Sequence, residues 1–255
     1  MKVAIVSGAS AGLGLALARK LAEAGYDVLG IARSPKPEDL QAGWHQADLR
    51  DVHAASGSLD WLDAVDGANV TEVLLVLNAG TEEPIGPVGK LAAEDIAAHV
   101  ALNLTAPMAM TATFLSKTEG WAAERRILAV SSGASRRATA YWSAYTASKS
   151  GLDGFVRAVN AEYSEAAGGP RTAAVALAPG VIDTAMQQRV RETDFPTVAR
   201  YKGLKDKGEL ASADEAAARV MAYLARPGFG SVELDDVRNY DLSLIHISEP
   251  TRPER

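Results

Sequence analysis

The chain has 255 residues, a formal net charge of −6, no cysteine, and a composition that is 47% hydrophobic and 23% charged. These values predict one α/β domain with a large core and exclude disulfide bonds and thiolate chemistry. The acidic balance disfavours nucleic acid as a partner, because phosphate binding needs basic clusters and the only short one is Arg136 with Arg137.

Neither a run of 18 apolar residues nor a charged-then-apolar leader is present in the sequence. We therefore expect no membrane span and no secretion signal, and a cytoplasmic location. No metal site is expected, because the histidines lack the spacing of metal ligands. We interpret all four as structural or solvated: His45, His53, His99 and His246.

The N-terminal segment combines an apolar run with a cluster of glycines. Residues 2–7 (KVAIVS) are followed at once by Gly8, Gly12 and Gly14, and a helical pattern then covers residues 15–24. This order favours a phosphate-binding turn, since glycine lets backbone amides approach a pyrophosphate at the positive end of a helix dipole. The alternative is a glycine-rich βα turn without a ligand.

Apolar runs alternate with helical patterns along the rest of the chain. This alternation indicates βαβ units and a parallel sheet that is covered by helices on both faces. Seven strands are predicted near residues 2–7, 27–32, 44–47, 73–77, 126–131, 172–178 and 231–234.

Three polar residues in the middle of the chain have a spacing suited to carbonyl chemistry. In residues 143–151 (SAYTASKSG), Tyr145 and Lys149 are four apart and would share one face of a helix. An isolated tyrosine has a pKa near 10, and a neighbouring ammonium is expected to pull that pKa toward neutral pH, where acid–base catalysis is most effective. Ser132 would then hold the carbonyl oxygen of a substrate.

The Tyr-x-x-x-Lys spacing recurs at Tyr201 and Lys205, so a single such pair also fits two solvated helix residues. The glycines of residues 8–14 stand as G-x-x-x-G-x-G, whereas the common dinucleotide fingerprint is G-x-G-x-x-G. With Tyr145 and Lys149 far downstream, this pattern resembles the short-chain dehydrogenase/reductase family. The resemblance implies a single-domain Rossmann-type doubly wound parallel sheet of about seven strands, flanked by helices.

The resemblance also implies roles for individual residues. Tyr145 would donate a proton, Lys149 would lower its pKa and bind the nicotinamide ribose, Ser132 would orient the carbonyl oxygen, and Asn103 would hold a water that resupplies the proton. The positions that match the family's cofactor-binding motifs are Gly8, Ser10, Gly12, Leu13, Gly14, Asp48, Leu49, Asn78, Ala79, Gly80, Tyr145, Lys149, Pro179, Gly180, Ile182 and Thr184.

The polar members of this set also have structural interpretations. Asp48 would be the N-cap of a helix that follows Leu49, and Asn78 would close a turn. Asn103 would satisfy a buried backbone group inside the apolar helical stretch of residues 94–114.

Cofactor preference is expected at the end of the second strand, where the adenosine ribose lies in this fold. Arg33 stands there without an acidic neighbour, and an arginine suits the 2′-phosphate of NADP whereas an acid would hold the 2′-hydroxyl of NAD. Ala11 stands where many NADP-preferring members carry a second basic residue. We expect NADP(H), with NAD(H) as the less favoured cofactor; the alternative is that Arg33 is a solvated loop residue.

The segment after Pro179 and Gly180 is expected to form a lid over the substrate. Residues 180–191 (GVIDTAMQQRVR), together with residues 82–91 (EEPIGPVGKL), resemble the branch of the family that contains sepiapterin reductases and (S)-benzoin-forming benzil reductases. This resemblance implies an aromatic or vicinal diketone substrate. Candidate pocket residues, which would equally suit the core, are Glu82, Trp142, Met186, Gln187 and Phe195.

The resulting hypothesis is an NADPH-dependent carbonyl reductase that uses pro-S hydride transfer. An NAD-dependent alcohol dehydrogenase of the same family and a non-catalytic dinucleotide-sensing protein are the alternatives. By analogy with the family, we expect a homodimer or homotetramer that pairs through the helices holding Asn103 and Tyr145.

The C-terminal residues do not continue the pattern of the fold. Residues 242–252 (LSLIHISEPTR) resemble the translation of a transposase adapter used in sequencing libraries, and Pro250 discourages regular structure. We assign residues 1–241 to the catalytic domain and residues 242–255 to a non-native or disordered tail. The alternative is a genuine segment that reaches over the pocket.

Overall fold

A computed structural model describes residues 1–164 and 171–240. Within them, one seven-stranded sheet has the order β3-β2-β1-β4-β5-β6-β7, and every neighbouring pair is parallel. The strands are β1 (Lys2–Ser7), β2 (Tyr26–Ala32), β3 (Gly43–Gln46), β4 (Glu72–Leu77), β5 (Glu124–Val130), β6 (Thr172–Ala178) and β7 (Leu234–Asp236). This order confirms the Rossmann-type doubly wound sheet, in which the strand order reverses between β1 and β4.

Helices flank the sheet on both faces, as predicted. The α-helices of the described residues are α1 (Gly12–Glu23), α2 (Val52–Gly57), α3 (Ala93–Val100), α4 (Ala106–Lys117), α5 (Ser143–Ser164), α6 (Ala185–Glu192), α7 (Val198–Asp206) and α8 (Ala213–Leu224). Short 3₁₀ turns cover Asp60–Ala64, Gly67–Asn69, Val88–Lys90, Gly133–Ser135 and Val237–Asn239. The predicted helix of residues 94–114 is interrupted, because a π-helical turn at Ala101–Thr105 joins α3 to α4.

Two buried clusters lie on opposite faces of the sheet. Alternate residues of β1 belong to different clusters, with Val3 and Ile5 on one face and Ala4 and Val6 on the other. The first cluster is covered by α2, α4 and α5, and the second by α1 and α8. Burial on both faces accounts for the continuous apolar runs of the strands.

The position of β7 differs from the predicted residues 231–234. Turns and bends occupy residues 225–233, where Gly228 and Gly230 have positive φ angles, and the strand begins at Leu234. The strand was hard to find because it carries two buried acids. Asp235 accepts hydrogen bonds from the hydroxyls of Tyr223 and Tyr240, so its charge is accommodated inside the fold.

The predicted tail of residues 242–255, and the boundary that separates it from the catalytic domain, lie outside the described residues. Among the residues that are described, no helix has the length and apolar character needed to cross a membrane.

Candidate active site

A large cavity opens along the carboxyl ends of the strands, where ligands bind in doubly wound sheets. Its volume is about 1490 Å³, and it runs from the end of β2, past the turn between β1 and α1, to the N-terminal part of α5. Most of the predicted cofactor-binding positions line it. The one exception is Gly14, which packs behind the turn.

The glycine turn has the geometry of a phosphate cradle. Gly8 and Gly12 adopt φ angles of +68° and +54°, which favour glycine, and a Cβ on Gly14 would collide with the carbonyl oxygen of Gly8. Helix α1 begins at Gly12 and no side chain caps it. Its first amide groups therefore face the cavity side of the turn without a side-chain acceptor, an arrangement that fits a pyrophosphate.

Asn78 joins the ends of β1 and β4. Its Nδ2 donates to the carbonyl oxygens of Ser7 and Gly8 at 3.0 and 3.3 Å. The amides of Asn78 and Ala79 donate in turn to the Ser7 hydroxyl at 2.9 and 3.1 Å. Asn78 thus closes the turn, as its structural interpretation predicts, and it also lines the cavity.

The far end of the cavity carries two arginines. Arg33 is exposed at the end of β2 and lines the cavity beside Asp48 and Leu49. Arg50 binds the Asp48 carboxylate through its Nε at 3.0 Å and a terminal nitrogen at 2.5 Å, and this hydrogen bonding holds the pKa of Asp48 below its usual value. Asp48 is not a helix cap, because Asp51 caps α2.

Pro179, Gly180, Ile182 and Thr184 form the opposite wall of the cofactor half. Gly180 has a φ angle of +82°, and Thr184 caps α6 by accepting from the amide of Gln187 at 3.4 Å. A Cβ on Gly12 would lie 3.3 Å from the Thr184 methyl group, so this wall stands directly across from the glycine turn.

The first residues of the predicted lid are hydrogen-bonded to the chain segment that follows the lid. The amide of Asp183 donates to the carbonyl oxygen of Ala211 at 2.8 Å, and the amide of Ala211 donates to that of Val181 at 3.1 Å. Ile182 and Ala211 consequently form an isolated parallel bridge. The predicted lid is therefore a segment, with α6 and α7 inside it, whose two ends lie side by side.

Asn103 lies in the π-helical turn and is fully buried. Its Oδ1 accepts from the amide of Thr81 at 2.9 Å, and its Nδ2 donates to the carbonyl oxygen of Thr81 at 2.7 Å. The predicted satisfaction of a buried backbone group is therefore observed. Asn103 lies next to Gly80, where a Cβ would stand 3.2 Å from its Oδ1.

Ser132, Tyr145 and Lys149 meet in the middle of the cavity. Residues 143–151 form the start of α5, which confirms the predicted helix and places Tyr145 and Lys149 on one face. The side chain of Ser132 lies beside the phenol of Tyr145 and acts to lower its pKa. Lys149 lies with its Nζ 5.9 Å from the centre of the Tyr145 ring and donates to the carbonyl oxygen of Val130 at 2.7 Å.

The net lowering of the pKa of Tyr145 that was expected from Lys149 is not observed in this structure. Burial raises the pKa of Tyr145 to about 12, and the charge of Glu82 acts in the same direction. Burial also lowers the pKa of Lys149 to about 8, although the carboxylate of Asp153 opposes that shift. The cost of burying each charge therefore exceeds the benefit of the neighbouring group.

The second Tyr-x-x-x-Lys pair, in α7, has a different environment. Lys205 bonds Asp183 at 2.5 Å, whereas the ring of Tyr201 stacks on Trp142 with centres 5.4 Å apart. The two residues therefore do not act as a pair, although Tyr201 contributes to the wall of the cavity.

Aromatic side chains form the wall next to Tyr145. The ring of Trp142 lies edge-on to that of Tyr145, with centres 5.3 Å apart, and Phe195 packs against Trp142 at 5.8 Å. Trp142, Met186 and Gln187 line the cavity as predicted, but Phe195 does not; it lies in the core behind Trp142.

Glu82 also lines the cavity, and its carboxylate is only 1% exposed. The Nε of Arg189 donates to its Oε1 at 2.7 Å and a terminal nitrogen donates to its Oε2 at 3.2 Å. Since Glu82 follows β4 and Arg189 lies in α6, this ion pair ties the lid to the body of the fold.

The family model for short chain dehydrogenases matches residues 2–194. The chain belongs to the short-chain dehydrogenase family. Among its relatives, benzil reductase ((S)-benzoin forming) of Bacillus cereus is 33% identical, over 92% of this chain and 98% of that protein. Sepiapterin reductase of Meriones unguiculatus is 30% identical, over 90% of this chain and 93% of that protein. The solved structure of KRED1-Pglu is 28% identical with a TM-score of 0.77, over 91% and 97% of the two chains.

Membership in the short-chain dehydrogenase family makes the protein an oxidoreductase that binds a nicotinamide dinucleotide. The glycine turn and the uncapped N-terminus of α1 fit such a group on structural grounds alone. No cluster of three or more His, Asp or Glu side chains that could hold a metal ion occurs within residues 1–164 and 171–240.

Some site residues of this short-chain dehydrogenase escaped the sequence reasoning. They are Ser7, Arg50, His99, Asp153 and Arg189. A signal existed for one of them, since His99 stands four residues before Asn103 and shares its helix face. The others meet their partners only through the tertiary fold or through local geometry that the motifs do not show.

Proposed function

We propose that this short-chain dehydrogenase is an NADPH-dependent carbonyl reductase that reduces one carbonyl of an aromatic ketone or vicinal diketone. The observation that carries the proposal is the placement of Ser132 beside the Tyr145 phenol, between the glycine turn and an aromatic wall of the same cavity. The identity of 33% to a benzil reductase across nearly the whole chain supports the substrate class.

The residues of the site suit the protonation half of a carbonyl reduction. When bound, the reduced dinucleotide would supply a hydride to the carbonyl carbon. Ser132 orients the carbonyl oxygen, and the phenol of Tyr145 gives its proton to that oxygen as negative charge develops there. Lys149 offsets the charge left on the phenolate, and Asn103 organises the path by which solvent restores the proton.

The pKa of Tyr145 favours the reductive direction. With a pKa of about 12, the phenol is protonated at neutral pH and ready to donate. Alcohol oxidation would instead need the phenolate as a base, and burial disfavours that form. Burial of Tyr145 therefore favours reduction over alcohol oxidation near neutral pH, and the choice between NADPH and NADH rests on Arg33.

The aromatic wall supports a flat, apolar substrate. Trp142 and Tyr201 line the cavity next to Tyr145, and the half-buried Met186 lies on the lid helix α6. Aromatic rings in a cavity favour edge-to-face or offset contacts with a second ring, which contribute about 0.5–1.5 kcal/mol beyond area burial. A phenyl ketone would make such contacts while its oxygen reaches Tyr145.

The preference for NADPH rests on Arg33. This arginine is exposed at the cavity edge, no acid stands directly after β2, and Arg50 already binds Asp48. Among the described residues at that end of the cavity, Arg33 is the cation without a side-chain hydrogen bond, and it would meet a 2′-phosphate there.

We also propose that the protein assembles as a homodimer or homotetramer through α4 and α5, as the family resemblance implies. Met108 on α4 is an exposed apolar side chain that assembly through these helices would cover. Light scattering after size exclusion at several concentrations tests this, and a monomer throughout the range would contradict it.

The proposed activity is tested by following NADPH and NADH oxidation with a panel of benzil, other 1,2-diketones, pterin-like ketones and simple aldehydes. We expect turnover with NADPH to be fastest on aromatic diketones, and Tyr145→Phe serves as the inactive control. Dinucleotide binding without turnover of any carbonyl would favour the non-catalytic alternative and overturn the proposal.

A further inference from the structure

We propose that His99 is a positioning residue that, as a neutral imidazole protonated on Nδ1, fixes the amide of Asn103 and connects it to the catalytic helix α5. The inference deepens the proposed function. His99 is 2% exposed, lies near the C-terminus of α3 one helical turn before Asn103, and lines the cavity.

The hydrogen bonds of His99 determine its tautomer. Its Nδ1 lies 2.5 Å from the carbonyl oxygen of Glu83, and because a carbonyl oxygen only accepts, Nδ1 carries the proton. In the neutral ring Nε2 is then an acceptor. It lies 3.2 Å from the Nδ2 of Asn103 and 2.9 Å from the hydroxyl of Ser148.

The acceptor at Nε2 completes the hydrogen bonding of Asn103. One hydrogen of its Nδ2 is donated to the carbonyl oxygen of Thr81, and His99 accepts the other. A flipped amide would face Oδ1 toward the lone pair of Nε2 and Nδ2 toward the amide of Thr81. His99 therefore stabilises one orientation of Asn103 against the other.

His99 also reaches the helix that carries the proton donor. Ser148 lies beside Lys149 on α5, and its hydroxyl is 3.0 Å from the carbonyl oxygen of Tyr145 as well as close to Nε2. The rings of His99 and Tyr145 are in edge contact, with centres 6.1 Å apart. One side chain thus contacts both Asn103 and the first turns of α5.

The surroundings of His99 favour the neutral ring. Burial lowers the pKa of His99, and the ammonium of Lys149 on α5 acts in the same direction. Its hydrogen bond to the carbonyl of Glu83, the backbone of Ala144 on α5 and the charge of Glu82 oppose the shift. On α3 itself, the acidic residue that lines the cavity is Asp95, one helical turn before His99.

Protonation would reverse the role of the ring. An Nε2–H group would point at the Nδ2 of Asn103, placing two donors together, so the fixed orientation of the amide would be lost. Reductase turnover should therefore fall as the pH decreases into the range where His99 takes up a proton.

Two substitutions test the two ring nitrogens of His99 one at a time. His99→Gln places an amide oxygen near the position of Nε2 and keeps an acceptor for Asn103, whereas His99→Asn replaces only the Nδ1 donor. We expect His99→Gln to retain kcat within about threefold, and His99→Asn and His99→Phe to lose about tenfold or more, with the KM for NADPH nearly unchanged. The matched control is His53→Gln, at an exposed position on α2.

The pH profile provides a readout that a merely structural role would not change. The fall in kcat at acid pH should be present in the wild type and in His53→Gln and absent in His99→Gln. Equal losses in the Gln and Asn variants, or an unchanged acid limb in His99→Gln, would overturn the proposal. Circular dichroism and NADPH binding exclude variants that fail to fold. Ser148→Ala removes the other side-chain group near Nε2 of His99 and so tests the same acceptor with a second variant.

A measurement without turnover keeps this inference separate from the proposed activity. In protein labelled with ¹⁵N-histidine, the His99 signals, assigned by their loss in His99→Gln, should show a protonated Nδ1 and an unprotonated Nε2 at neutral pH. A protonated Nε2 would refute the positioning role even if the enzyme reduces ketones. The expected tautomer in a protein that reduces no carbonyl would refute only the proposed function.

Discussion

Arg189 donates two hydrogen bonds to the buried carboxylate of Glu82, although the two residues are 107 positions apart in the chain. Glu82 acts on Tyr145 through its charge, which raises the pKa of the phenol. The same ion pair therefore joins the predicted lid to the fold and places a charge near Tyr145, the proposed proton donor.

Arg189→Met should impair both stability and activity. It leaves a buried carboxylate without its partner, which we expect to cost about 1–3 kcal/mol in the free energy of unfolding, less than for a fully buried pair because Arg189 is 46% exposed. The double variant Glu82→Gln/Arg189→Met should recover part of that loss. Urea unfolding measures the stability of the single and the double variant, with Arg219→Met on the exposed face of α8 as the control. Equal stability of the single and double variants would contradict the pairing.

Tyr145→Phe should reduce kcat for ketone reduction by at least about a hundredfold, since general acid catalysis contributes about 10² to 10⁴ in rate. The dissociation constant for NADPH should change little, because the ring remains and only the hydroxyl is lost. Tyr163→Phe is the matched control, because it lies near the C-terminal end of the same helix and away from the cavity. Near-normal turnover by Tyr145→Phe, measured with NADPH in excess, would show that the proton comes from elsewhere.

Arg33→Ala should raise the KM for NADPH by about tenfold or more and leave the KM for NADH nearly unchanged, because only NADPH carries the 2′-phosphate. Arg50→Ala is the informative comparison, since its guanidinium is bound to Asp48. A larger loss of NADPH discrimination in Arg50→Ala than in Arg33→Ala would transfer the phosphate contact to Arg50.

Lys149→Met should change how stability depends on pH in the absence of cofactor. The pKa of Lys149 falls from 10.5 to about 8 on folding. Between pH 8 and 10 the unfolded chain therefore binds a proton that the folded protein does not, and the free energy of unfolding gains a rising contribution of about 1.4 kcal/mol per pH unit from this group. Above pH 10 the raised pKa of Tyr145 adds the opposite slope.

Urea unfolding at pH 7 to 10 measures this dependence. The wild type should gain stability relative to Lys149→Met as the pH rises, whereas the exposed control Lys90→Met should follow the wild type. Parallel curves for wild type and Lys149→Met would mean that the lysine keeps its ordinary pKa in the folded protein.

The sequence predicted those parts of the structure that depend on local pattern. The apolar strands, the glycine turn and the helical spacing of Tyr145 and Lys149 are confirmed, because each is encoded in neighbouring residues. Strand β7 was misplaced because Asp235 and Asp236 are buried acids, whose tyrosine and backbone partners the pattern cannot show. The raised pKa of Tyr145 was also missed, since spacing reveals a neighbouring ammonium but not the depth of burial.

Apart from the four-residue spacing of His99 and Asn103, the side-chain contacts across the site were also inaccessible to sequence reasoning. His99 was interpreted as structural or solvated, and nothing in its residue type distinguishes a solvated ring from one that bonds Glu83 and Asn103. The role proposed for His99 depends on the π-helical turn, which the periodicity of residues 94–114 does not predict.

The parallel bridge between Ile182 and Ala211 lets the lid vary independently of the rest of the fold. The chain leaves the body of the fold and returns to it at adjacent points, so the residues between them can change in length or composition without altering the register of the sheet. The closure entropy of such a loop grows only slowly with its length, by about 0.6 kcal/mol for each doubling. This segment can therefore diverge while Tyr145 and the glycine turn stay in place.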